Sequence, residues 1–284
     1  MSSVSASCWK IRGGRALCVS PFCVMGIVNL TPDSFYDGGL HHKPDAALQH
    51  ALRLLREGAH ILDLGAESSR PGALPVPAPE EQARLVPVLR ALREQPLAAR
   101  AVLGVDTRCA ATARAALEAG ADIINDISAA ADPRLLEVLV EYGPGYVLMH
   151  SQGNPENMQH NPRYARVVDE VAAFFAMQLE RLCAAGLAEE KIVLDPGIGF
   201  GKRLEDNIAL LRAIPRFVEF GRPILLGLSM KSVFGELLGL APEDRGLATQ
   251  LASALLLGKG ALVHRVHDVA ANLLALRLAH ALEG

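Results

Sequence analysis

The chain predicts an α/β protein: a single (β/α)8 barrel of the TIM type, with parallel strands inside and helices outside. Three observations predict it. Short apolar runs alternate eight times with stretches whose apolar residues recur at helical spacing. No linker-like segment separates these units, and polar residues collect repeatedly at the C-terminal ends of the apolar runs. With 284 residues, 50% hydrophobic and 21% charged, the chain can bury one large core. An open doubly wound sheet is the structural alternative, and it fits eight consecutive units less well. Residues 1–23 are expected to form an N-terminal lead-in and residues 24–284 the barrel domain.

Composition narrows the function. The formal net charge is −3 and no Lys/Arg cluster stands out, so neither nucleic acid nor a membrane surface is the expected partner, and a small molecule is. Cys8, Cys18, Cys23, Cys109 and Cys183 are scattered, without a CxxC pair or a histidine at metal spacing, and read as reduced thiols of a cytoplasmic protein. Residues 1–23 carry Lys10, Arg12 and Arg15 but no apolar signal core, and no run approaches ~18 apolar residues. Neither secretion nor membrane insertion is expected.

Taken in order, the Ser-rich start MSSVSAS gives way to a strand-like lead-in. The stretch 25–39, MGIVNLTPDSFYDGG, opens as a strand and breaks into a polar loop longer than a turn needs, which marks function more often than structure. A helix over 44–57 follows from Ala47, Leu48, Ala51, Leu52 and Leu55, and stops at Gly58. The run HILDLG at 60–65 is a buried strand, and AESSRPGALPVP is a second polar loop. Helix resumes at Pro79, whose fixed φ suits a first turn, and runs to Arg93. Strands are then expected at 101–106, 122–127, 146–150, 191–195, 223–229 and 261–267. The helices between and after them are expected at 110–119, 133–142, 164–185, 205–214, 231–238, 242–257 and 269–282.

Asn29, Glu67, Asp106, Asn125, His150, Asp195, Ser229, Arg265 and His267 all fall at or just beyond a strand's C-terminal end. In a barrel those ends share one face, where catalytic groups gather. Singly, Asp106 or Asn125 could cap the following helix. Arg265 and His267, at i and i+2 of one strand, project to the same side and point to an anion. The glycine loop DPGIGFGK is not a phosphate-binding P-loop, because Pro196 stands at the first Gly position and Arg203 follows Lys202. Its glycines read as a close approach of backbone to a flat ligand, with Phe200 as a wall; the alternative is a loop whose Lys202 and Arg203 are merely solvated. Asp106, Asn125 and Asp195 combine carboxylate acceptors with an amide, a set suited to a planar heterocycle with an amino-pyrimidinone edge. Lys231 could meet a ring carbonyl or ring nitrogen.

The motifs MGIVNLTPDSFYDGG, DLGAESSRPGA, GVDT, INDIS, LMHSQGNPENMQHNPRY, DPGIGFGK, SMKS and RVHDV, in this order over about residues 24–282, resemble the dihydropteroate synthase family. That family has the same barrel and condenses 6-hydroxymethyl-7,8-dihydropterin pyrophosphate with 4-aminobenzoate, releasing pyrophosphate with Mg2+. The resemblance implies a pterin site of Asp106, Asn125, Ile127, Met149, Asp195 and Lys231. It implies a pyrophosphate site of Asn29, Arg70, Arg265 and His267, with Asn29 also on the metal, and an aminobenzoate site of Phe35, Ser69, Pro71, Phe200 and Ser229. Asn29, Asp106, Asp195, Lys231 and Arg265 would carry the catalysis, the loop from Thr31 to Gly39 would act as a lid, and the protein would be a homodimer through its last helices. Three positions depart from the family pattern: Met230 stands for the usual Arg of S-R-K-S, Ser69 for the Thr of E-S-T-R-P, and Ser151 for the Met of H-M-Q-G. Met230 motivates a second reading, a pterin-binding paralogue without synthase activity. A third is a methyltetrahydrofolate-dependent methyltransferase, for which Arg265 and His267 would have no evident task.

Overall fold

The computed structural model describes residues 7–31, 43–68, 72–153 and 155–283. Eight parallel strands close into a barrel: β3 (Cys23–Asn29), β4 (Ile61–Gly65), β5 (Val102–Asp106), β6 (Ile123–Asp126), β7 (Gly145–Met149), β8 (Ile192–Asp195), β9 (Ile224–Leu226) and β10 (Ala261–Val266), with β10 returning to β3. The helices are α1 (Lys43–Arg56), α2 (Ala78–Glu94), α3 (Ala110–Glu118), α4 (Pro133–Tyr142), α5 (Val167–Ala184), α6 (Leu204–Arg212), α7 (Ile214–Val218), α8 (Ser232–Leu238), α9 (Arg245–Leu257) and α10 (Val269–Glu283). Local chemistry sets their ends. In α4, Asp132 accepts the N–H of Arg134 at 2.9 Å, Pro133 opens the first turn, and Gly143 closes the helix with φ 55.

Period-2 alternation divides the strand residues into two layers. Leu62, Leu64, Leu103, Val105, Ile124, Leu148, Leu194 and Val266 face the helices in the larger apolar cluster. Met25, Ile61, Val102, Ile123, Val147, Val193, Leu225 and Val263 fill the interior at the strands' N-terminal end. The lead-in completes this second cluster. Residues Cys8–Lys10 (β1) and Ala16–Cys18 (β2) pair antiparallel, and the hairpin drives Trp9, Ile11 and Val19, each 1% exposed or less, against the barrel's lower opening. The indole N–H of Trp9 donates to the Lys191 carbonyl at 2.7 Å, so the buried ring leaves no polar atom unpaired.

Four expectations needed revision. The strand expected at 223–229 is three residues long and shares a single register pair with β8. The helix expected from Tyr164 begins at Val167, while the Tyr164 hydroxyl donates to the Gly201 carbonyl at 2.8 Å. The helix expected over 205–214 breaks at Ala213, because Pro215 cannot continue its ladder, and α7 follows as a separate turn. Residues 242–244 form a 3-10 turn before α9 begins. No helix among the described residues is long and apolar enough to cross a membrane. Their five cysteines are free thiols.

Candidate active site

The alternation that makes the lower interior apolar makes the upper interior polar. Asp63 follows Ile61 on the inward side of β4, Asp106 occupies the corresponding side of β5, Asn125 that of β6, Asp195 that of β8 and Arg265 that of β10. Asp63 was not singled out from the sequence, yet it stands at the centre. Fully buried, it accepts the Arg265 Nε–H at 2.6 Å and the Asn125 amide at 3.0 Å through one oxygen, Oδ2. Arg265 passes its Nη2 to Asp106 at 2.9 Å, so one guanidinium joins two carboxylates. The other oxygen of Asp63 faces Gly104, where an added Cβ would lie 2.8 Å away.

Neither Asp106 nor Asn125 caps a helix. Thr107 takes the turn after β5, accepting the Cys109 N–H at 3.1 Å, and Asp126 takes the turn after β6, accepting the N–H groups of Ser128 and Ala130 at 2.7 and 2.6 Å. The two candidates are thereby left facing the barrel mouth. Burial pushes Asp106 up to about 7, Arg265 opposing and Asp63's charge adding to the rise. Asp195 is raised by burial against the pull of Lys231, and it accepts the Gly197 N–H at 2.7 Å. Burial lowers Lys231 to about 8 despite Asp195. Its ammonium donates to the Ile198 carbonyl and lies 4.6 Å from the Phe200 ring centroid. Burial works against the charge of Arg265, but Asp63 and Asp106 outweigh it and the group is raised.

Met149 is buried beside Asp195 in register, and Ile127 lines a narrow cleft with Glu67, Asp106 and Thr107. Ser229 and His267 meet each other: the His267 N–H reaches the Ser229 hydroxyl at 3.2 Å, and its Nδ1 lies 2.9 Å from the same oxygen. Asn29 ends β3, half-buried beside Gly65. Phe35, Ser69, Arg70 and Pro71, together with most of the expected lid, lie outside the described residues.

The glycine loop also packs closely against the loop that follows β7. A Cβ on Gly197 would fall 1.9 Å from the His150 carbonyl oxygen, and one on Gly201 would fall 2.1 Å from that of Gln152. These glycines bring the backbone against the neighbouring loop, and two glycines of the loop also adjoin site side chains: a Cβ on Gly197 would lie 3.3 Å from Met149 Cγ, and one on Gly199 3.4 Å from Lys231 Cδ. Lys202 is not solvated. It is 3% exposed and reaches His150 Nδ1 at 3.0 Å and the carbonyls of His150, Gly197 and Phe200 at 3.2, 3.0 and 3.0 Å. Burial, with the nearby Lys202, pulls His150 down to about 3, so its ring is neutral. His150 and Lys202 therefore hold the loops together. Glu67 is likewise structural in these contacts, pairing with Arg108 at 3.0 Å and accepting the Val76 N–H at 2.9 Å.

The chain can be assigned to a class of proteins: the family described as "Pterin binding enzyme" matches residues 25–267, and the chain belongs to it. The dihydropteroate synthase of Escherichia coli K12 is 43% identical over 269 residues, covering 94% of each chain. A dihydropteroate synthase of Xanthomonas albilineans, solved with 4-aminobenzoic acid, superposes with a TM-score of 0.91 at 42% identity and 99% coverage of both chains. The same enzyme solved with 7,8-dihydropteroate gives 0.86 at 40% identity, covering 96% of this chain and 99% of that one. Within the family, these relatives place the chain among the dihydropteroate synthases, transferases of folate biosynthesis.

Proposed function

We propose that the chain condenses 6-hydroxymethyl-7,8-dihydropterin pyrophosphate with 4-aminobenzoate, giving 7,8-dihydropteroate and pyrophosphate. The observation that carries this reading is the convergence of Asp106, Asn125, Asp195 and Lys231 around one barrel mouth, with Asp63 and Arg265 bonded among them. The carboxylates accept the N–H donors of the amino-pyrimidinone edge, Asn125 both donates and accepts, and Lys231 meets the ring's carbonyl or nitrogen. Met149 and Ile127 supply apolar contact. The aminobenzoate amine attacks the pterin methylene carbon as the bond from that carbon to the pyrophosphate oxygen breaks, the leaving group taking both electrons, and the new C–N nitrogen then gives up one proton to the pyrophosphate or to water. Positive character on the methylene is stabilised by the buried carboxylates, and Arg265 and His267 share the charge of the departing pyrophosphate.

Phe200 and Ser229 border the second substrate, with Phe35, Ser69 and Pro71 assigned there by family resemblance, as Arg70 is to the pyrophosphate. Among the described residues no group of three or more His, Cys, Asp or Glu gathers as a metal cage. The Asn29 amide oxygen is a hard donor of the kind Mg2+ takes beside its waters and substrate phosphate oxygens. Asn29 would hold it, and the ion would offset charge on the leaving group. We read the protein as a cytoplasmic homodimer. The free thiols support the compartment. The dimer is supported by exposed leucines: Leu247, Leu251 and Leu255 on α9, and Leu274, Leu278 and Leu282 on α10, a helix packed against it.

The test is Mg2+-dependent pyrophosphate release that requires both substrates; folded protein without turnover would reject the synthase reading in favour of a non-catalytic paralogue. Calorimetry with pyrophosphate separates it from a methyltransferase. Arg265→Ala should weaken pyrophosphate binding more than binding of the free pterin.

A further inference from the structure

Met230, the residue before Lys231, has φ 62, the left-handed backbone region in which a residue carrying a Cβ is strained. Such a conformation persists only where its surroundings over-determine it. Helix α9 provides that constraint. The Met230 N–H donates to Thr249 Oγ1 at 3.2 Å, and its carbonyl accepts from Arg245 Nη1 at 3.3 Å. The Thr249 hydroxyl donates its own hydrogen to the Arg245 carbonyl at 2.9 Å, so its lone pairs are turned toward Met230. Thr249 is 2% exposed, and Gly235 leaves the space Arg245 needs, since a Cβ there would stand 2.6 Å from Nη2. The chain reverses at Met230, with the Lys231 N–H closing on the Leu228 carbonyl at 3.2 Å. Lys231 then runs back over Phe200 toward the loop after β8.

We propose that Thr249, assisted by Arg245, is a positioning residue for the reaction: it holds Met230 in the left-handed conformation that aims Lys231 at the pterin. If Met230 relaxed to negative φ, the direction of the next Cα–Cβ bond would turn, and a long flexible side chain would carry that rotation into a displacement of the ammonium by several ångström. The proposal rests on the assignment of Lys231 to the pterin, and the experiment separates the two.

Steady-state kinetics with both substrates are measured for the wild-type protein, Thr249→Val, Thr249→Ser, Lys231→Met, and Thr249→Val combined with Met230→Gly. Valine keeps the volume of threonine but offers no acceptor, which shifts the clamped equilibrium by about tenfold. The expected result is a KM for the pterin pyrophosphate raised by about that factor and a KM for aminobenzoate changed less than about twofold. Thr249→Ser should restore the native value, and Met230→Gly in the valine background should recover most of it, because glycine adopts positive φ without strain. A merely structural role would lower kcat through loss of folded protein and leave both KM values alone, which overturns the proposal. It is also overturned if Lys231→Met raises the pterin KM while Thr249→Val does not. Should Lys231→Met leave the pterin KM unchanged, the pterin assignment fails and takes the proposal with it.

Discussion

Asp63→Asn should move the acid limb of the pH–rate profile down by about two pH units. In the native protein two carboxylates share one guanidinium: Arg265 Nε to Asp63 at 2.6 Å and Nη2 to Asp106 at 2.9 Å, with Asp63 fully buried and Asp106 14% exposed. Carboxylates on neighbouring nitrogens of a guanidinium stand about 5 Å apart. Two unit charges at that distance repel by roughly 3 kcal/mol at an effective dielectric constant of about 20. That energy corresponds to about two pK units. Asp106, held at about 7 by burial and by this neighbour, should fall by that amount once Asp63 is neutral and Arg265 serves Asp106 alone. Asp106 accepts pterin N–H groups fully only when ionised, so kcat/KM rises with pH through its pKa. The assay is kcat/KM for the pterin pyrophosphate between pH 4.5 and 9, with aminobenzoate saturating. A limb that stays near 7 or moves upward refutes the shared-guanidinium account. Stability follows the same proton. Because the folded pKa lies above the ordinary 3.8, native Asp106 keeps a proton that the unfolded chain has released, and its contribution to stability declines as pH rises from about 3.8 through about 7. Asp63→Asn should flatten that decline.

Three further outcomes are expected. Gly197→Ala, with φ 66 and a Cβ 1.9 Å from the His150 oxygen, should cost about 3 kcal/mol through backbone strain and overpacking, lower the thermal midpoint by roughly 5–10 °C and weaken pterin binding; a variant of native stability would contradict the contact. Trp9→Ala empties a fully buried site in the lower plug and should cost about 3–5 kcal/mol in denaturant unfolding while both KM values hold, and a changed pterin KM would show that the barrel's two ends are coupled. Leu251→Glu with Leu278→Glu should yield a monomer in sedimentation velocity, and an unchanged dimer would place the interface elsewhere.

The barrel was legible because its signal is repetitive: eight apolar runs, each followed by a helical pattern, and polar residues at the same end of each unit. Strand-end position pointed to Asp106, Asn125, Asp195 and Arg265, and the fold brings them to one mouth. Asp63 escaped notice because it sits inside an apolar strand and not at its end. Its signal was nevertheless present, since it alternates with Ile61 and Gly65 and must face the interior, where a buried carboxylate needs a cationic partner. The contacts of Lys202 and of the glycines around it were hidden from the sequence for a different reason. Their contacts are with His150 and Gln152, on a loop whose proximity only the closed barrel creates. The hairpin was visible only as a lead-in, because strands of three residues are too short for a periodic pattern.

The contacts between the loops after β7 and β8 bear on how this barrel could be re-engineered. Barrels are commonly regarded as scaffolds whose loops can be exchanged one at a time. Here Gly197 and Gly201 leave no atom's width between the two loops, and the Lys202 ammonium bridges from one to the other. A chimera that imported either loop alone would meet a side chain where a carbonyl oxygen already lies, or strand an ammonium without acceptors. The two are one transplantable module, and any redesign of the mouth between them has to carry both.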